Sequence, residues 1–373
     1  MRIGFVSDCV FPWTVGGVER VEHDEMVLLS KRHEVYSFSL RFEGMRRHFK
    51  RGGIDYVGVA DASANELYTK DGRRSIGLAL RFANGLGSGI GKYDLDIVYA
   101  NSFPYLHLPV LKRYCRRHQA KLVLDVAEVW SKEYWIGYLG RIRGIAAYHY
   151  AKSAIRGADA YVANSSTTAM ELERLGIERN RITVFAPVID LRKMPEPRHS
   201  RKRRYVLYAG RLIKEKRVDL WVESVVRANE LDSSIRGLII GSGPEESKIR
   251  ALIRRYPFIE MRGMCRSKRQ LYSIIGGAVC MLNMSEREGL SVITIESAAM
   301  GTIPLLPSYT PIPKEVRELS LVRKIDDIPK TIVGIAAGKI GYKIDRRRLS
   351  RFDVGAVSDE FERIASMAAS SHR

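Results

Sequence analysis

Short apolar runs alternate with amphipathic helical patterns along most of the chain, and this order constrains the fold more than any other feature. In the first half, apolar runs that predict buried strands lie at 3–7, 35–40, 54–59, 97–100, 122–126, 160–163 and 182–185. Helical patterns separate them at about 17–31, 74–86, 106–118, 143–157 and 167–175. Parallel strands need a crossover connection, usually a helix, so the order predicts an α/β fold with a doubly wound parallel sheet.

The alternation breaks once and then restarts. Residues 187–204 contain three prolines, and seven basic residues fall between Arg192 and Arg204. Strand patterns then return at 205–209, 235–240, 258–261, 278–282 and 302–306. A chain of 373 residues exceeds the usual size of a single core. We therefore predict four segments: a first domain at 1–190, a basic linker at 191–204, a second domain at 205–352 and a terminal helical segment at 353–373.

Composition bears on compartment and on metal binding. No uninterrupted apolar run approaches the roughly 18 residues that span a bilayer, and Met1 leads into the first strand without a secretory-signal pattern. The four cysteines are scattered, with neither metal-ligand nor disulfide spacing. These features predict a cytoplasmic protein without a metal site.

The net charge of +20 is the compositional outlier. Basic residues are in excess in both halves, so the charge belongs to a surface and not to one disordered tail. Such a surface favours anionic partners: nucleic acid, an anionic membrane or phosphorylated substrates.

Residues 278–306 predict a strand, loop, helix and strand whose loop carries candidate ligand groups. The first strand ends at a polar break that begins at Asn283, and a helical pattern follows Glu288 and stops at Gly301. Ligands bind at the carboxyl ends of parallel strands, where this loop would lie. Glu288 and Glu296 would be separated by about 12 Å of helical rise, too far to share one proton or one metal.

Two interpretations of these glutamates are open at this point. They could hold the two ends of an elongated ligand, with the backbone N–H groups of Gly289, Leu290 and Ser291 facing an anion between them. Alternatively, Glu288 would only favour the helix dipole from the first turn, and Glu296 would be a solvated residue.

The surrounding sequence, E-G-L-S-V-x-x-x-E followed by S-A-A-M-G-T-I-P, resembles the nucleotide-sugar signature of retaining GT-B glycosyltransferases, in particular glycosyltransferase family 4. The resemblance implies a GT-B fold, in which two Rossmann-like domains face a central cleft and the last helix returns to the first domain. Under this interpretation Glu288 contacts the sugar hydroxyls, and Glu296 accepts hydrogen bonds from the ribose.

Two cations match the same family. In G-R-L-I-K-E-K, Arg211 and Lys216 occupy the positions of the family's arginine and of the lysine five residues later, which clamp the donor phosphates. Their neighbours Lys214 and Arg217 match neither position, and we interpret them as surface charge.

Three backbone segments complete the donor-binding prediction. Gly16 and Gly17, in G-G-V-E-R, open the first long helix, where the family's loop faces the donor diphosphate and the acceptor. Gly243 lies in a strand-to-helix turn that reads equally well as an ordinary turn. Met264 lies in a turn that, in the family, offers backbone groups to the nucleotide base.

Other polar residues are set aside or depart from the family. Asp94 and Asp96 look like a metal-binding D-x-D, but they precede a strand, whereas a metal site should follow one. His107, like His118, is expected at the surface. Many family members carry a sugar-contacting histidine at the position of Ala127, and here only Glu128 could serve instead.

The resemblance implies transfer of a hexose from a nucleotide-diphosphate sugar, such as UDP- or GDP-hexose, with retention and without a metal or other cofactor. The acceptor would be a glycan or a lipid-linked molecule. A non-catalytic polyanion- or nucleic-acid-binding protein and a GT-B nucleotide-sugar epimerase remain as alternatives, although polyanion binding would require neither glutamate.

Basic clusters of the first half suggest peripheral contact with an anionic membrane at its inner face. They lie at 46–51, at 73–74 and at 112–117. A merely solvated basic face is the alternative interpretation.

Overall fold

The computed structural model describes residues 1–14, 17–69, 73–195, 205–286, 288–342 and 344–370. The chain forms two compact units, which we call unit 1 (Met1–Pro187 and Val354–Arg373) and unit 2 (Val188–Asp353). The predicted linker 191–204 falls largely on 196–204, which lie outside the described residues.

Unit 1 is built on an eight-stranded sheet in the order β3-β4-β2-β1-β5-β6-β7-β8. Its strands are β1 Arg2–Val6, β2 Glu34–Arg41, β3 His48–Arg51, β4 Ile54–Asp61, β5 Ile97–Asn101, β6 Lys121–Val126, β7 Ala160–Ala163 and β8 Ile182–Val184. All neighbours pair in parallel except β3 and β4. The seven predicted strands are confirmed. The sequence missed β3, because this short edge strand is mostly exposed and carries no apolar run.

Six helices connect these strands: α1 Gly17–Leu29, α2 Ile76–Gly89, α3 Leu108–His118, α4 Lys132–Leu139, α5 Arg141–Ile155 and α6 Ser166–Arg174. The sequence missed α4, which Gly140 separates from α5 in a backbone conformation with φ 85°. Gly144 lets α5 lie against α4, since a Cβ there would stand 2.4 Å from the Trp135 carbonyl oxygen. The two helices therefore form a tight hairpin.

Unit 2 holds a six-stranded, wholly parallel sheet in the order β11-β10-β9-β12-β13-β14. Its strands are β9 Tyr205–Ala209, β10 Arg236–Ile240, β11 Ile259–Arg262, β12 Cys280–Leu282, β13 Ile303–Pro307 and β14 Leu321–Arg323. Its helices are α7 Val218–Leu231, α8 Glu246–Ile253, α9 Lys268–Gly277, α10 Val292–Ala299, α11 Lys314–Arg317 and α12 Ile328–Ala336. Strand order changes direction next to β9, so the loops after β9 and β12 are neighbours.

The last helix, α13 (Val357–Ser370), belongs to unit 1. Val357, Phe361, Ile364 and Ala368 recur at helical spacing and join the core of that unit. The Phe361 ring lies 5.8 Å from the ring of Tyr99 on β5. Within the described ranges, no helix combines the length and the apolar character needed to cross a bilayer.

The basic clusters are not uniformly free for a membrane. Arg74 is mostly buried and forms an ion pair with Asp8, and Lys112 donates a hydrogen bond to the Ser153 carbonyl oxygen at 3.3 Å. Arg74 is therefore not available to an anionic surface, and membrane contact of the remaining cations stays a prediction. The cluster at 46–51 spans the edge strand β3, where its cations remain exposed.

Candidate functional site

The loop from Asn283 to Ser291 follows β12 and leads into α10, and Asn283 organises it. The Asn283 Oδ1 atom accepts hydrogen bonds from the Ser285 backbone N–H at 3.0 Å and from its Oγ at 2.6 Å. On the other side, Asn283 Nδ2 donates to Glu288 Oε1 at 2.9 Å and to Ser291 Oγ at 3.1 Å. A buried asparagine side chain thus fixes both ends of the loop.

Glu288 is held by three donors on one oxygen. Its Oε1 accepts from Lys216 Nζ at 2.8 Å, from Asn283 Nδ2 at 2.9 Å and from Ser285 Oγ at 2.8 Å. Burial by itself would raise the pKa of this carboxyl, but the charge of Lys216 and the three hydrogen bonds hold the pKa below its usual value. Glu288 is therefore an ionised, nearly buried carboxylate at neutral pH.

The structure corrects the expected geometry of the two glutamates. The helix α10 begins at Val292, after Ser291 in the left-handed conformation at φ 65°, so Glu288 is not a first-turn residue. Helical rise consequently does not set the separation of Glu288 and Glu296. Gly289, Leu290 and Ser291 lie in the loop before the helix and not in its first turn.

The interpretation of Glu296 as a solvated residue is wrong. It is 6% exposed on α10, and its Oε1 accepts a hydrogen bond from the Tyr272 hydroxyl at 3.3 Å. A nearly buried carboxylate needs a hydrogen-bond partner, and the Tyr272 hydroxyl supplies one.

Lys216 reaches Glu288 because the loop after β9 is tied to the loop after β12. The Glu286 backbone N–H donates to the Glu215 carbonyl oxygen at 2.9 Å. Arg217 Nη1 donates to Glu286 Oε1 at 2.5 Å, while its Nη2 pairs with Asp219 at 3.0 Å. Arg217 thus remains a charge at the surface, and its ion pairs also join the two loops.

Arg211 precedes Lys216 in the same loop, and its side chain is exposed. Its carbonyl oxygen accepts a hydrogen bond from the Tyr208 hydroxyl at 2.7 Å. Lys214 is exposed as well. The loop therefore presents an exposed arginine and a half-buried lysine at the carboxyl end of β9.

Gly243 has a packing reason to be glycine. A Cβ at this position would stand 2.5 Å from the Leu212 carbonyl oxygen. The Leu212 backbone N–H donates to the Ser242 carbonyl oxygen, and the Glu245 N–H donates to that of Leu212, both at 2.9 Å. The turn after β10 thereby supports the loop that carries Arg211 and Lys216.

These segments meet at one edge of the sheet. Because β9, β10, β11 and β12 are parallel neighbours, their following loops share the carboxyl edge. Met264 follows β11 at this edge and is 47% exposed. The structure thus brings the predicted donor residues of unit 2 to the same edge.

The predicted residues of unit 1 are placed less completely. Gly16 lies outside the described residues, and Gly17 begins α1. The Glu128 carboxylate accepts a hydrogen bond from Trp130 Nε1 at 3.0 Å. The carbonyl oxygen of Ala127 accepts from the Thr168 hydroxyl at 3.3 Å, so the segment after β6 is held by α6.

The residues set aside also have defined roles. Asp94 and Asp96 both pair with the Arg2 guanidinium, at 2.8 Å and 3.1 Å. His107 is not a surface residue: it is fully buried, and its Nε2 lies 2.9 Å from the Asn101 carbonyl oxygen. Burial lowers the pKa of His107 to about 4. Among the described residues, no group of three or more His, Cys, Asp or Glu side chains could hold a metal ion.

Sequence reasoning missed the buried carboxyls of Glu22 and Glu25, the half-buried carboxyl of Asp125 and the hub role of Asn283. Burial raises the pKa of Asp125 to about 7, and it raises those of Glu22 and Glu25, on α1, well above their usual values. The signal for Asn283 was available: the polar break starts directly at the carboxyl end of a buried strand. Helical spacing alone gave no sign that Glu22 and Glu25 face the core.

Two units with mainly parallel sheets, and a carboxylate–cation pair at the carboxyl edge of the second, are the arrangement expected of GT-B glycosyltransferases. Two family models match in succession, Glycosyltransferase Family 4 over residues 15–193 and Glycosyl transferases group 1 over residues 191–321. The chain therefore belongs to the family 4 and group 1 glycosyltransferases. A comparison with curated protein sequences finds no match.

Solved structures agree in fold over nearly the whole chain. The lipopolysaccharide outer core galactosyltransferase WaaB, in its apo form, is 18% identical with a TM-score of 0.65, covering 98% of this chain and 99% of its own. Sucrose-phosphate synthase of Thermosynechococcus elongatus is 14% identical with a TM-score of 0.75, covering 99% of each chain. HepE of Anabaena, in complex with UDP and glucose, is 13% identical with a TM-score of 0.67, covering 98% and 99%. At these identities the likeness concerns the fold.

Proposed function

We propose that this glycosyltransferase moves a hexose from a nucleotide-diphosphate sugar, such as a UDP- or GDP-hexose, to a glycan or lipid-linked acceptor with retention at the anomeric carbon. The observation that carries the proposal is the Glu288 carboxylate, which is kept ionised beside Lys216 at the carboxyl edge of a parallel sheet. Polyanion binding alone would not require a buried carboxylate next to the cation, and this weakens the non-catalytic alternative.

Each predicted residue has a role in this proposal. Arg211 and Lys216 bind the diphosphate and stabilise its charge as it leaves. Glu288 accepts hydrogen bonds from the sugar hydroxyls, and Glu296 accepts them from the ribose. Backbone groups near Gly243, Met264 and 289–291 contact the nucleotide, and Gly16 and Gly17 face the diphosphate.

The donor interacts with both members of the ion pair. Lys216 forms an ion pair with Glu288, so a bound diphosphate competes with the carboxylate for the lysine. Sugar hydroxyls can then donate to Glu288 in place of the lysine. A complete donor satisfies both partners, whereas a nucleotide diphosphate lacks the sugar that replaces the lysine at Glu288.

The chemistry balances without a protein base. The bond from the anomeric carbon to the phosphate oxygen breaks as the acceptor oxygen bonds to the same face. The acceptor proton passes to the leaving phosphate, and the products are the glycoside and the nucleotide diphosphate. Cations take the place of a metal in this proposal, and no other cofactor is needed. We place the reaction in a reducing cytoplasm, in agreement with the four free cysteines.

Relatives of the same fold support the substrate class. HepE of Anabaena has been solved with UDP and with UDP-glucose, and the trehalose-phosphate synthase of Burkholderia xenovorans with glucose-6-phosphate. These ligands are nucleotide sugars, their products and a sugar acceptor.

A thermal-shift panel of nucleotide sugars tests the proposal. One donor should raise the melting temperature more than its nucleotide diphosphate does, because ligand binding to the folded state stabilises it. Glu288→Gln should abolish that difference. A panel without any shift, or equal shifts with DNA and with nucleotide sugars, would contradict the proposal.

A further inference from the structure

The outer face of α5 carries a row of exposed apolar side chains beside two exposed polar ones, His149 and Ser153. Its inner face is buried through Gly144, Ala151, Ala154 and Ile155. On the opposite side, Ile142 is 85% exposed, Tyr150 is 40% exposed, and Ala146 between them is exposed. These three follow each other at intervals of four, so they form one row about 12 Å long.

Cations flank this row, and the neighbouring sequence carries no acidic residue. Arg141 and Arg143 lie on either side of Ile142 and are exposed, and residues 134–157 include no Asp or Glu. Cations in the first turn of a helix oppose its dipole. The arginines therefore do not stabilise α5 through its dipole, and their charges are exposed beside Ile142.

A neighbouring segment extends the surface. The Tyr138 hydroxyl, at the end of α4, accepts a hydrogen bond from the Arg74 backbone N–H at 2.7 Å. The Arg73 guanidinium lies 5.7 Å from the centre of the Tyr138 ring, and Ile76, two residues after Arg74, is 58% exposed. A second isoleucine and a third arginine thus adjoin the tip of the hairpin.

The inside of the hairpin is already filled by aromatic rings. Trp130 packs against Trp135 at 4.7 Å and against Tyr138 at 5.2 Å, measured between ring centroids. Tyr134 and Tyr138 are half-buried there. The rings of Trp130, Trp135 and Tyr138 belong to the core of unit 1, so they hold the hairpin rigid and leave its outer face to the aliphatic and basic side chains.

We propose that the outer face of α5, with the adjoining Arg73 and Ile76, docks on the surface of an anionic bilayer. Arg141, Arg143 and Arg73 would meet lipid phosphates, while Ile142 and Ile76 enter the boundary of the acyl chains. This face differs from the clusters at 46–51 and 112–117, which lack exposed aliphatic side chains of comparable size.

Two other occupants fit the face less well. Single-stranded nucleic acid binds by stacking on aromatic rings, whereas the most exposed apolar groups here are aliphatic. A second copy of the chain on a twofold axis would bring Arg141 and Arg143 against the same cations of its partner. A lipid surface has neither difficulty.

Vesicle co-sedimentation of the full-length protein tests the proposal. Binding should require phosphatidylglycerol in phosphatidylcholine vesicles and should weaken with salt. Arg141→Gln together with Arg143→Gln should lower the partition coefficient about thirtyfold, and Ile142→Ser about tenfold. The melting temperature of the arginine variant should not fall, because its removed cations opposed the helix dipole.

Matched controls separate this face from charge in general. Arg116→Gln with Arg117→Gln on α3 removes the same charge elsewhere in unit 1, and Leu231→Ser removes an apolar side chain that is 56% exposed in unit 2. Both should bind within a fewfold of wild type.

Three results would overturn the proposal: equal binding to neutral vesicles, an equal loss in the α3 control, or a dimer in ultracentrifugation that Ile142→Ser dissociates. The readout involves no turnover, so a failure of the proposed transfer reaction would not affect it.

Discussion

Removal of Lys216 should destabilise unit 2 in a way that depends on pH. Lys216 Nζ lies 2.8 Å from Glu288 Oε1, and the two side chains are only 21% and 8% exposed. Breaking such a nearly buried pair leaves an uncompensated carboxylate, and this typically costs about 3–5 kcal/mol. Asn283 and Ser285 still donate to Glu288 after the change, so we expect Lys216→Met to cost about 3 kcal/mol. For a domain of this size that corresponds to a fall in melting temperature of about 6–12 °C.

The sign of the pH dependence follows from the carboxyl. In the wild type the folded-state pKa of Glu288 is lowered, so its contribution to stability is present at neutral pH and is lost only as the pH falls through that pKa. Without Lys216, less positive charge offsets the burial of the Glu288 carboxyl, so its pKa rises. The folded variant then keeps a proton that the unfolded chain releases, so its stability should fall as the pH rises from about 4.5 towards 8.

Thermal melts from pH 5 to pH 8 measure both effects. Lys216→Met with Glu288→Gln should recover much of the loss and show no such slope, because no buried carboxylate remains. Lys214→Met removes an exposed lysine from the same loop and should stay near the wild type. The stability that Lys216→Met loses relative to wild type should be larger at pH 8 than at pH 5. If it is not larger, or if the double variant is as unstable as the single one, the ion pair does not hold the loops as described.

Four further outcomes follow from the structure. Glu296→Gln should weaken the binding of nucleotide diphosphate and nucleotide sugar alike, about ten- to a hundredfold. Glu288→Gln should instead lower turnover without weakening the binding of nucleotide diphosphate. Calorimetry that finds equal losses of affinity in both variants would contradict the roles given to the two glutamates. Transfer assayed in excess EDTA should persist, and activity restored only by manganese would refute metal independence. Asp125→Asn should stabilise the protein at pH 8 by up to about 4 kcal/mol, because it removes a carboxyl whose pKa is raised in the folded state. It should also reduce the loss of stability between pH 4 and pH 7. Denaturant unfolding in which the free energy of unfolding keeps its wild-type pH dependence would count against this prediction. Gly243→Ala should lower the free energy of unfolding by about 1–3 kcal/mol, because its Cβ would stand 2.5 Å from the Leu212 carbonyl oxygen. Gly263→Ala, which has open space around it, should not. Equal melting temperatures of the two variants would exclude the packing role of Gly243.

The arrangement of strands and helices was largely predictable because parallel strands are buried on both faces. Each such strand is a nearly continuous apolar run that interrupts the helical periodicity, as at Ala160–Ala163 and Tyr205–Ala209. The same reasoning explains the failures. β3 is exposed at the edge of its sheet, and α4 is a short helix whose aromatic residues give no amphipathic pattern.

The candidate donor residues could also be named from the sequence, because a short motif carries Glu288 and Glu296 together. Their environment was not. Lys216 and Glu288 are 72 positions apart, and only the adjacency of β9 and β12 brings them within a hydrogen bond. Strand order depends on how the helices cover the sheet, and local patterns do not encode it.

Burial of side chains decided which of the remaining predicted surface residues lie at the surface. His107 and Arg74 look like surface residues in the sequence, yet His107 is fully buried and Arg74 pairs with Asp8. Ile142, in contrast, is a large apolar residue that lies 85% exposed. The sequence determined the elements, the family and the residues of the donor motif, because these depend on local periodicity and short spacing. The tertiary structure decided which side chains are desolvated, which charges pair and which apolar face remains uncovered, because those depend on contacts between segments far apart in the chain.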